Sequence, residues 1–213
     1  MTCSNSPIRP VRARRGFTLI ETLLAMCITA MVGGGIATMM SVLSRDVGMQ
    51  YEARGVLIRT STAQTRFSAY VAPSRCILDA NTDTLVLWLE DARESDSVHA
   101  SEIRWIRHDE STDRIVVDFV DFPGSWSETA VAMADTNYPN NARWSDIRLT
   151  FDDLGLLSTA PLVDEVSNIS FTTPGGHGTE ARLVEADIEL KTTQDTVPVH
   201  LGETIRILRP PTQ

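Results

Sequence analysis

Residues 14–44 read RRGFTLIETLLAMCITAMVGGGIATMMSVLS and determine the architecture of the chain. Glu21 is the only charged side chain of this stretch after the two arginines. A helix of about 20 apolar residues crosses the hydrocarbon core of a bilayer, so this stretch is long enough to span a membrane. The first 16 residues contain four arginines and no acidic residue. This asymmetry predicts a cytoplasmic N-terminus and an exported remainder.

Composition and charge exclude several other classes of protein. The chain has 213 residues, with 42% hydrophobic and 22% charged side chains, which is typical of a globular protein rather than a disordered or multi-spanning one. Its 19 basic and 28 acidic residues give a net charge of -9, so a nucleic acid is not expected as a partner. Since the basic N-terminal segment contributes four positive charges, the acidity belongs to the predicted exported part.

Three kinds of N-terminal segment could explain this pattern: a cleaved secretory signal, a plain membrane anchor and a prepilin leader. A secretory signal has a shorter apolar region that ends in a small-x-small cleavage site, which this stretch lacks. A plain anchor gives no reason for Glu21, because an ionisable group inside an apolar span is costly. The position of this carboxylate therefore indicates a functional group within the span.

The segment Arg14-Arg15-Gly16-Phe17-Thr18-Leu19-Ile20-Glu21, followed by an uncharged run, resembles the cleavage and methylation signature of the type IV pilin and pseudopilin superfamily. The resemblance implies cleavage between Gly16 and Phe17 by a prepilin peptidase, and N-methylation of the new amino group of Phe17. It further implies that Glu21 pairs with the Phe17 ammonium group of a neighbouring subunit during filament assembly. The alternative is a Glu21 side chain that extends to the cytoplasmic headgroups.

The predicted organisation has four parts. Residues 1–16 are a leader peptide, 17–44 a transmembrane and filament-core helix, 45–72 its amphipathic continuation, and 73–213 a β-rich periplasmic head. Pro73 is expected to stop the helix. The continuation carries a narrow apolar face, predicted to pack on the head, formed by Val56, Thr60, Ala63, Phe67 and Tyr70. Its arginines are predicted to form a solvated face or to meet acidic neighbours in a filament: Arg45, Arg54, Arg59 and Arg66.

Three consecutive glycines, Gly33 to Gly35, interrupt the apolar helix. Each glycine costs about 1 kcal/mol relative to alanine in a helix interior, so the triplet predicts a local weak point. It is consistent with a turn that unwinds in a filament, as the superfamily resemblance implies. It is equally consistent with close packing of helices through small residues.

The head is predicted to be an antiparallel β-sheet, which makes the fold class α+β: a long N-terminal helix packed on a pilin-like head. Residues 123–141 are predicted to form a surface loop. The predicted strands, from turn signals and apolar alternation, are Thr84–Leu89, Ile103–Arg107, Arg114–Val120, Ala142–Phe151, Val166–Thr172, Ala181–Lys191 and Glu203–Arg209.

The order of these elements, with the segments Val166–Phe171 and Ala181–Leu190, is similar to that of J-type minor pseudopilins of type II secretion. The resemblance implies a non-enzymatic subunit of a pseudopilus tip in the bacterial inner membrane. Its expected partners are other minor pseudopilins, the major pseudopilin and the inner-membrane assembly platform. The alternatives are a minor pilin of a type IV pilus and a membrane-tethered binding or adhesin module.

The head offers one candidate cation site. Asp79, Asn81 and Asp83 have the spacing of the first calcium ligands of an EF-hand, and Glu90 stands where the twelfth would be. Thr84 occupies the position that should be glycine, so an Asx-rich turn is the alternative. No cofactor is expected otherwise, because the four histidines lack a metal-binding spacing and no serine lies in a G-x-S-x-G context.

The aromatic and cysteine residues of the head point to a core without covalent links. Cys76 is the only cysteine after residue 72, so no disulfide is expected within the head. The head must then be stabilised by burial of apolar side chains. The four tryptophans are predicted to supply much of that core, with an aromatic ligand platform as the alternative: Trp88, Trp105, Trp126 and Trp144.

Overall fold

The computed structural model describes residues 18–176, 178–193 and 195–212, apart from the side chains of residues 42–50. The chain forms two compact units, residues 1–51 and residues 52–213. Helix α1 extends from Leu19 to Val71. It ends two residues before Pro73, because the residue that precedes a proline is disfavoured in the helical conformation.

Within the described residues, ten strands, two further α-helices and two short 3-10 helices follow α1. In chain order the strands and α-helices are β1 Cys76–Ala80, β2 Thr84–Trp88, β3 Val98–His99, β4 Ile103–Asp109, β5 Arg114–Val120, α2 Glu128–Ala134, β6 Asn137–Tyr138, α3 Trp144–Asp153, β7 Leu157–Asp164, β8 Val166–Thr172, β9 Leu183–Lys191 and β10 Thr196–Thr204.

The strands form three antiparallel sheets. The largest has five strands in the order β1-β2-β4-β5-β7, the second has three in the order β10-β9-β8, and β3 pairs with β6. The hairpin between β4 and β5 closes at the pair Asp109↔Arg114 and places Asp113 at a φ of 54°. A long N-terminal helix followed by antiparallel sheets confirms the predicted α+β fold class.

The five-stranded sheet buries both of its faces, which produces two hydrophobic cores. One core joins α1, one face of this sheet and the three-stranded sheet, and it includes Phe67, Ile77 and Ile188. The other core lies between the opposite face and α3, and it includes Trp105 and Phe151. Alternate residues of a strand point to opposite faces, so neighbours such as Ile77 and Leu78 enter different cores.

The predicted apolar face of the helix is confirmed. Ala63 and Phe67 are buried, and Val56 and Tyr70 pack against the same core at partial exposure. The ring centroids of Phe67 and Phe171 lie 6.4 Å apart and the rings are nearly parallel. This stacking attaches the last turns of α1 to β8.

Two of the predicted strands are wrong. The segment 142–151 forms helix α3, in which Trp144, Ile147 and Phe151 recur at steps of three and four and are buried on one face. That spacing is typical of a helix, and it outweighs the short alternation that favoured a strand. The predicted strand Glu203–Arg209 is placed too late in the sequence. The observed strand β10 runs from Thr196 to Thr204 and includes Pro198. Proline is tolerated there because β10 is an edge strand.

Other predicted boundaries also change. The predicted loop 123–141 contains α2 and β6. Strands β1, β7 and the short β3 were not predicted, whereas β5 and β8 have the predicted bounds. Strand β7 was missed because Pro161 and the surrounding polar residues weaken its pattern. It is nevertheless an edge strand of the five-stranded sheet, where a missing amide donor is tolerated.

Three of the four tryptophans belong to the core, as predicted, and one does not. Trp88, Trp105 and Trp144 are buried, and the indole N–H groups of Trp88 and Trp105 donate to Glu102 Oε2 at 2.9 Å and to the Trp144 carbonyl at 3.0 Å. Trp126 is 39% exposed and stacks on Phe122 at the surface, with ring centroids 5.9 Å apart. Its prediction as a core residue is therefore wrong.

Candidate functional site

The residues with the strongest sequence signature lie at the start of α1. Gly16 and Phe17, predicted as the cleavage and methylation site, lie outside the described residues. Glu21 lies in the first turn of the helix. Its Oε2 atom accepts hydrogen bonds from the Thr18 amide and the Thr18 hydroxyl group, both at 2.9 Å. The Glu21 amide donates back to Thr18 Oγ1 at 3.4 Å.

This reciprocal arrangement is a capping box, with Thr18 as the N-cap and Glu21 three residues later. It satisfies amide groups that have no partner within the helix. Both bonds to the carboxylate use Oε2, which leaves Glu21 Oε1 without a hydrogen-bond partner among residues 18–176, 178–193 and 195–212. Glu21 can therefore begin the helix and still present one oxygen to another molecule.

The helix that follows is suited to a bilayer. The segment Leu19–Ser41 has 23 residues and a mean hydropathy of 1.9, which is long and apolar enough to cross a membrane by length and composition. Every side chain from residue 18 to residue 41 is exposed. Its hydroxyl groups after Thr18 donate to carbonyls of the same helix at 2.7 to 2.8 Å: Thr22, Thr29, Thr38 and Ser41.

These internal hydrogen bonds matter because lipid offers no partner to a polar group. Glu21 is the one charged group of the segment, and its second oxygen remains available. The glycine triplet at residues 33–35 is helical, and a methyl group added at any of the three would contact nothing within 4 Å. Its surface is therefore open to a neighbouring helix or to lipid.

Two arginines of α1 do not form the predicted solvated face. Arg59 forms an ion pair with Glu165 and donates to the Lys191 carbonyl at 3.1 Å. Arg66 donates to the carbonyls of Pro161 and Leu162 in β7, at 3.3 and 3.0 Å. The predicted solvated position is therefore wrong for both side chains. Because the helix packs on two sheets, the arginines that flank its buried face reach the end of one strand and the exposed edge of another.

The predicted calcium ligands lie at the turn between β1 and β2. Asp79 lies one residue before the end of β1, and the Asn81 amide group donates to Asp79 Oδ2 at 3.1 Å. Strand β2 begins at Thr84 and separates Glu90 from the turn. Calcium needs six to eight oxygen ligands, and the described residues contain no group of three His, Cys, Asp or Glu placed to hold a metal. These residues do not fit a closed calcium site, although calcium binding itself stays an untested prediction.

The same turn forms one wall of a cavity of about 300 Å³ in the head. Strand β4 and helix α3 form its other walls. The lining carries carboxylates on the turn and guanidinium groups on the opposite walls, with an apolar floor. Its residues are Asp79, Asn81, Asp83, Thr84, Val86, Trp105, Arg107, His108, Ser145, Arg148 and Leu149.

A buried carboxylate lies beside this cavity and holds the two guanidinium groups. Asp118 on β5 has no exposed side-chain surface. Its Oδ2 accepts from Arg107 Nε at 2.7 Å and from Arg148 Nη1 at 3.1 Å, and its Oδ1 accepts from the Thr159 hydroxyl group at 2.7 Å. The sequence analysis missed this cluster, because its members come from β4, β5, β7 and α3 and share no local motif.

A second buried polar cluster orders the loop after β2. Glu102 is buried, and besides the Trp88 indole it accepts from the amides of Arg93 and His99 at 3.2 and 3.1 Å. Asp135 is also buried and pairs with Arg93 at 2.9 Å. Each buried carboxylate has charge-assisted partners, which is how buried charges are tolerated.

Ser95 and His99 in this loop are placed like part of a hydrolase triad. Ser95 Oγ lies 3.1 Å from His99 Nε2, and His99 Nδ1 lies 3.1 Å from the Asp135 carbonyl oxygen. A serine hydrolase also needs amide donors near the nucleophile for the oxyanion. Here the amides of Ser95 and Asp96 donate to the Asp91 carboxylate at 2.9 and 3.2 Å. These amides are therefore occupied and do not form an oxyanion site. The hydrogen bonds of Ser95 and His99 order the loop instead.

The cysteine of the head is protected from reaction. Cys76 is buried at the start of β1, and this burial raises the pKa of its thiol to about 12, despite the opposing effect of the Arg75 charge. The thiolate is the reactive form of cysteine, so Cys76 is inert near neutral pH.

Comparison with known proteins finds a similarity at the N-terminus. Residues 11–37 match the family model described as the prokaryotic N-terminal methylation motif. This match supports a type IV pilin-like protein, a structural class, and together with the apolar helix Leu19–Ser41 it indicates membrane anchoring. No curated protein and no solved structure matches the chain.

Proposed function

We propose that this protein is a structural, non-enzymatic subunit of a pilus-like filament of the bacterial inner membrane. It is made as a precursor, cleaved between Gly16 and Phe17 by a prepilin peptidase and methylated on the new amino group of Phe17. The N-terminus of the precursor is cytoplasmic and the head is periplasmic. The observation that carries this proposal is the match of residues 11–37 to the N-terminal methylation motif, at the start of a helix that can span a membrane.

We propose that the filament is the pseudopilus of type II secretion. In this proposal the chain is a minor pseudopilin of its tip. The support is the similarity of the element order to J-type subunits. The segments that carry it are β8 and β9, two antiparallel strands of the head. The partners in this proposal are other minor pseudopilins, the major pseudopilin and the assembly platform. A minor pilin of a type IV pilus is the alternative, and gene neighbours distinguish the two: a secretin with a secretion ATPase, or pilus retraction genes.

In this proposal, Glu21 guides assembly. Its Oε1 atom has no partner in the described part of the chain, and the adjoining helix surface is apolar. A carboxylate in an apolar environment requires a positively charged partner. The ammonium group of Phe17 on a neighbouring subunit supplies that charge and sets the axial position of each subunit in the filament.

Substitution of Glu21 tests this role. We expect Glu21→Ala and Glu21→Gln to be cleaved and inserted in the membrane like the unaltered chain, but to be absent from filaments isolated from the cell envelope. Thr18→Ala removes the helix cap and keeps the charge, so we expect it to assemble. Glu52→Gln alters a half-exposed carboxylate of the same helix outside the apolar segment and serves as the control. Normal filament entry of Glu21→Gln would contradict the ion-pair account.

A further inference from the structure

The cavity between the β1–β2 turn, β4 and α3 lies entirely within the head, and its two charged walls have opposite signs. Asp79 and Asp83 on the turn form the negative wall. Arg107 on β4 and Arg148 on α3 form the positive one. Filament assembly through Glu21 uses none of these groups.

The positive wall has an excess of charge and of hydrogen-bond donors. Arg107 and Arg148 share a single carboxylate, Asp118, so two positive charges meet one negative charge. Both oxygens of Asp118 are already occupied. Arg107 uses Nε and Nη1, and Arg148 uses Nη1 alone. Within the described residues, Arg107 Nη2 and two nitrogen atoms of Arg148 therefore have no acceptor.

Such donors suit a carboxylate group. A guanidinium group offers N–H donors in a planar fork, which matches the two oxygens of a carboxylate. The side chains of Arg107 and Arg148 are 25% and 19% exposed, so a bound oxyanion would be partly shielded from water. This shielding strengthens the interaction relative to a fully exposed pair.

The negative wall has carboxylates that no cation among the described residues of the head neutralises. Asp79 accepts a hydrogen bond from Asn81, and Asp83 accepts a long one of 3.5 Å from Thr84. Neither forms an ion pair with any described residue. An ammonium group is a suitable partner, because it has three donors and a single positive charge.

The floor and rim of the cavity add an apolar contact. Val86 and Trp105 form its buried floor, and Leu149 at the rim is 50% exposed. A cavity of about 300 Å³ is at the lower end of the range for small-molecule sites. An aliphatic side chain of the ligand could cover Leu149.

We propose that this cavity binds a small zwitterion, an amino acid or a dipeptide with an aliphatic side chain. Its carboxylate is held by Arg107 and Arg148, and its ammonium group by Asp79 and Asp83. A simple anion is disfavoured by the two aspartates, and a divalent cation by the two arginines. The zwitterion alone satisfies both walls.

Titration of the detergent-solubilised full-length chain with two zwitterions, leucine and leucyl-leucine, followed by saturation-transfer NMR, tests the proposal. N-acetylleucine lacks the ammonium group, and leucinamide lacks the carboxylate. We expect saturable binding of at least one zwitterion, and binding of each blocked compound that is weaker by about ten- to a hundredfold, the loss expected for one charge-assisted hydrogen-bonded group.

Variants locate the binding site. We expect the double variant Asp79→Asn/Asp83→Asn to weaken the binding of the zwitterion by about tenfold or more. Arg148→Gln is expected to do the same by removing the carboxylate partner. The double variant alters only exposed or half-exposed residues, so it remains informative if Arg148→Gln unfolds. Asp153→Asn, at an exposed position of α3 outside the cavity lining, is the control with unchanged binding.

Three outcomes would overturn the proposal. One is the absence of saturable zwitterion binding at ligand concentrations up to about 10 mM. A dissociation constant above that concentration is too weak for a functional small-molecule site. The second is binding of N-acetylleucine that is as tight as that of the zwitterions. The third is saturable calcium binding that requires Asp79 and Asp83, without any zwitterion binding. Loss of filament entry by Glu21→Gln tests the proposed function separately, because Glu21 does not line this cavity.

Discussion

From Leu19 to Ser41 every side chain of α1 is exposed, whereas from residue 56 to residue 71 the same helix buries Ala63, Phe67 and Val71 in a core shared with two sheets. In both segments hydroxyl groups donate to carbonyls of their own helix. Only in the second segment do arginines, Arg59 and Arg66, also donate to strand carbonyls.

The comparison shows how one continuous helix can serve two environments. A segment that satisfies its own polar groups can be surrounded by lipid or by other apolar helices. A segment that directs arginines and aromatic rings into neighbouring strands is fixed to one domain. The first segment therefore leaves its apolar surface uncovered, while the second packs on the head.

The largest expected effect concerns the two faces of the second segment. Phe67→Ala removes a buried ring that stacks on Phe171, and such a truncation costs about 4 kcal/mol of folding free energy. Leu57 is 71% exposed, so Leu57→Ala is expected to change stability by less than about 0.5 kcal/mol. Urea unfolding of the solubilised chain, followed by fluorescence of the buried tryptophans, measures both. Equal midpoints for the two variants would show that this face of the helix does not support the head.

A smaller effect is expected for the buried carboxylate of the head. Asp118→Asn leaves the guanidinium groups of Arg107 and Arg148 without their anion, which costs about 3 kcal/mol in a buried setting. Asp121→Asn alters an exposed carboxylate one residue beyond the end of the same strand and is the matched control. The same urea titration measures both. Stability of Asp118→Asn at the level of Asp121→Asn would mean that solvent compensates the two arginines.

The smallest effect is expected on the open face of the three-stranded sheet. The hydrogen bond between His200 Nδ1 and Asp187 Oδ1, at 2.7 Å, raises the pKa of His200 above its ordinary value, with help from the charges of Asp187 and Glu185. The folded state thus favours the protonated imidazole. This contribution to stability is complete below the ordinary pKa of histidine, and it disappears as the pH rises through the raised value.

NMR titration of the His200 ring measures this pKa directly. We expect Asp187→Asn to lower the pKa towards its ordinary value, and Glu189→Gln, one position along the same face of β9, to leave it closer to that of the unaltered chain. A His200 pKa that Asp187→Asn does not lower would contradict the assigned hydrogen bond.

Those elements whose pattern is local could be predicted from the sequence. The apolar segment, its lone Glu21 and the strands β5 and β8 each carry a continuous signal of charge or alternation. Helix α3 was misread, because its ten residues are short enough for helical and alternating patterns to overlap. The capping contact between Thr18 and Glu21 has the spacing of a known motif and could have been found in the sequence.

The contacts between distant segments could not be predicted. Arg59 meets Glu165 and Lys191 across more than 100 residues of sequence. The cavity combines a turn, a strand and the helix that was misread as a strand. The charge of its walls depends on which side chains remain unpaired in the folded state. The local spacing of residues in a sequence does not predict such pairing.

Mass spectrometry of the N-terminal peptide of the protein extracted from membranes shows whether the chain is processed as a prepilin. The proposed processing predicts a chain that begins at Phe17 and carries a methyl group on its amino nitrogen. An intact Met1, or cleavage beyond Leu43 at the end of the apolar stretch, would contradict the account.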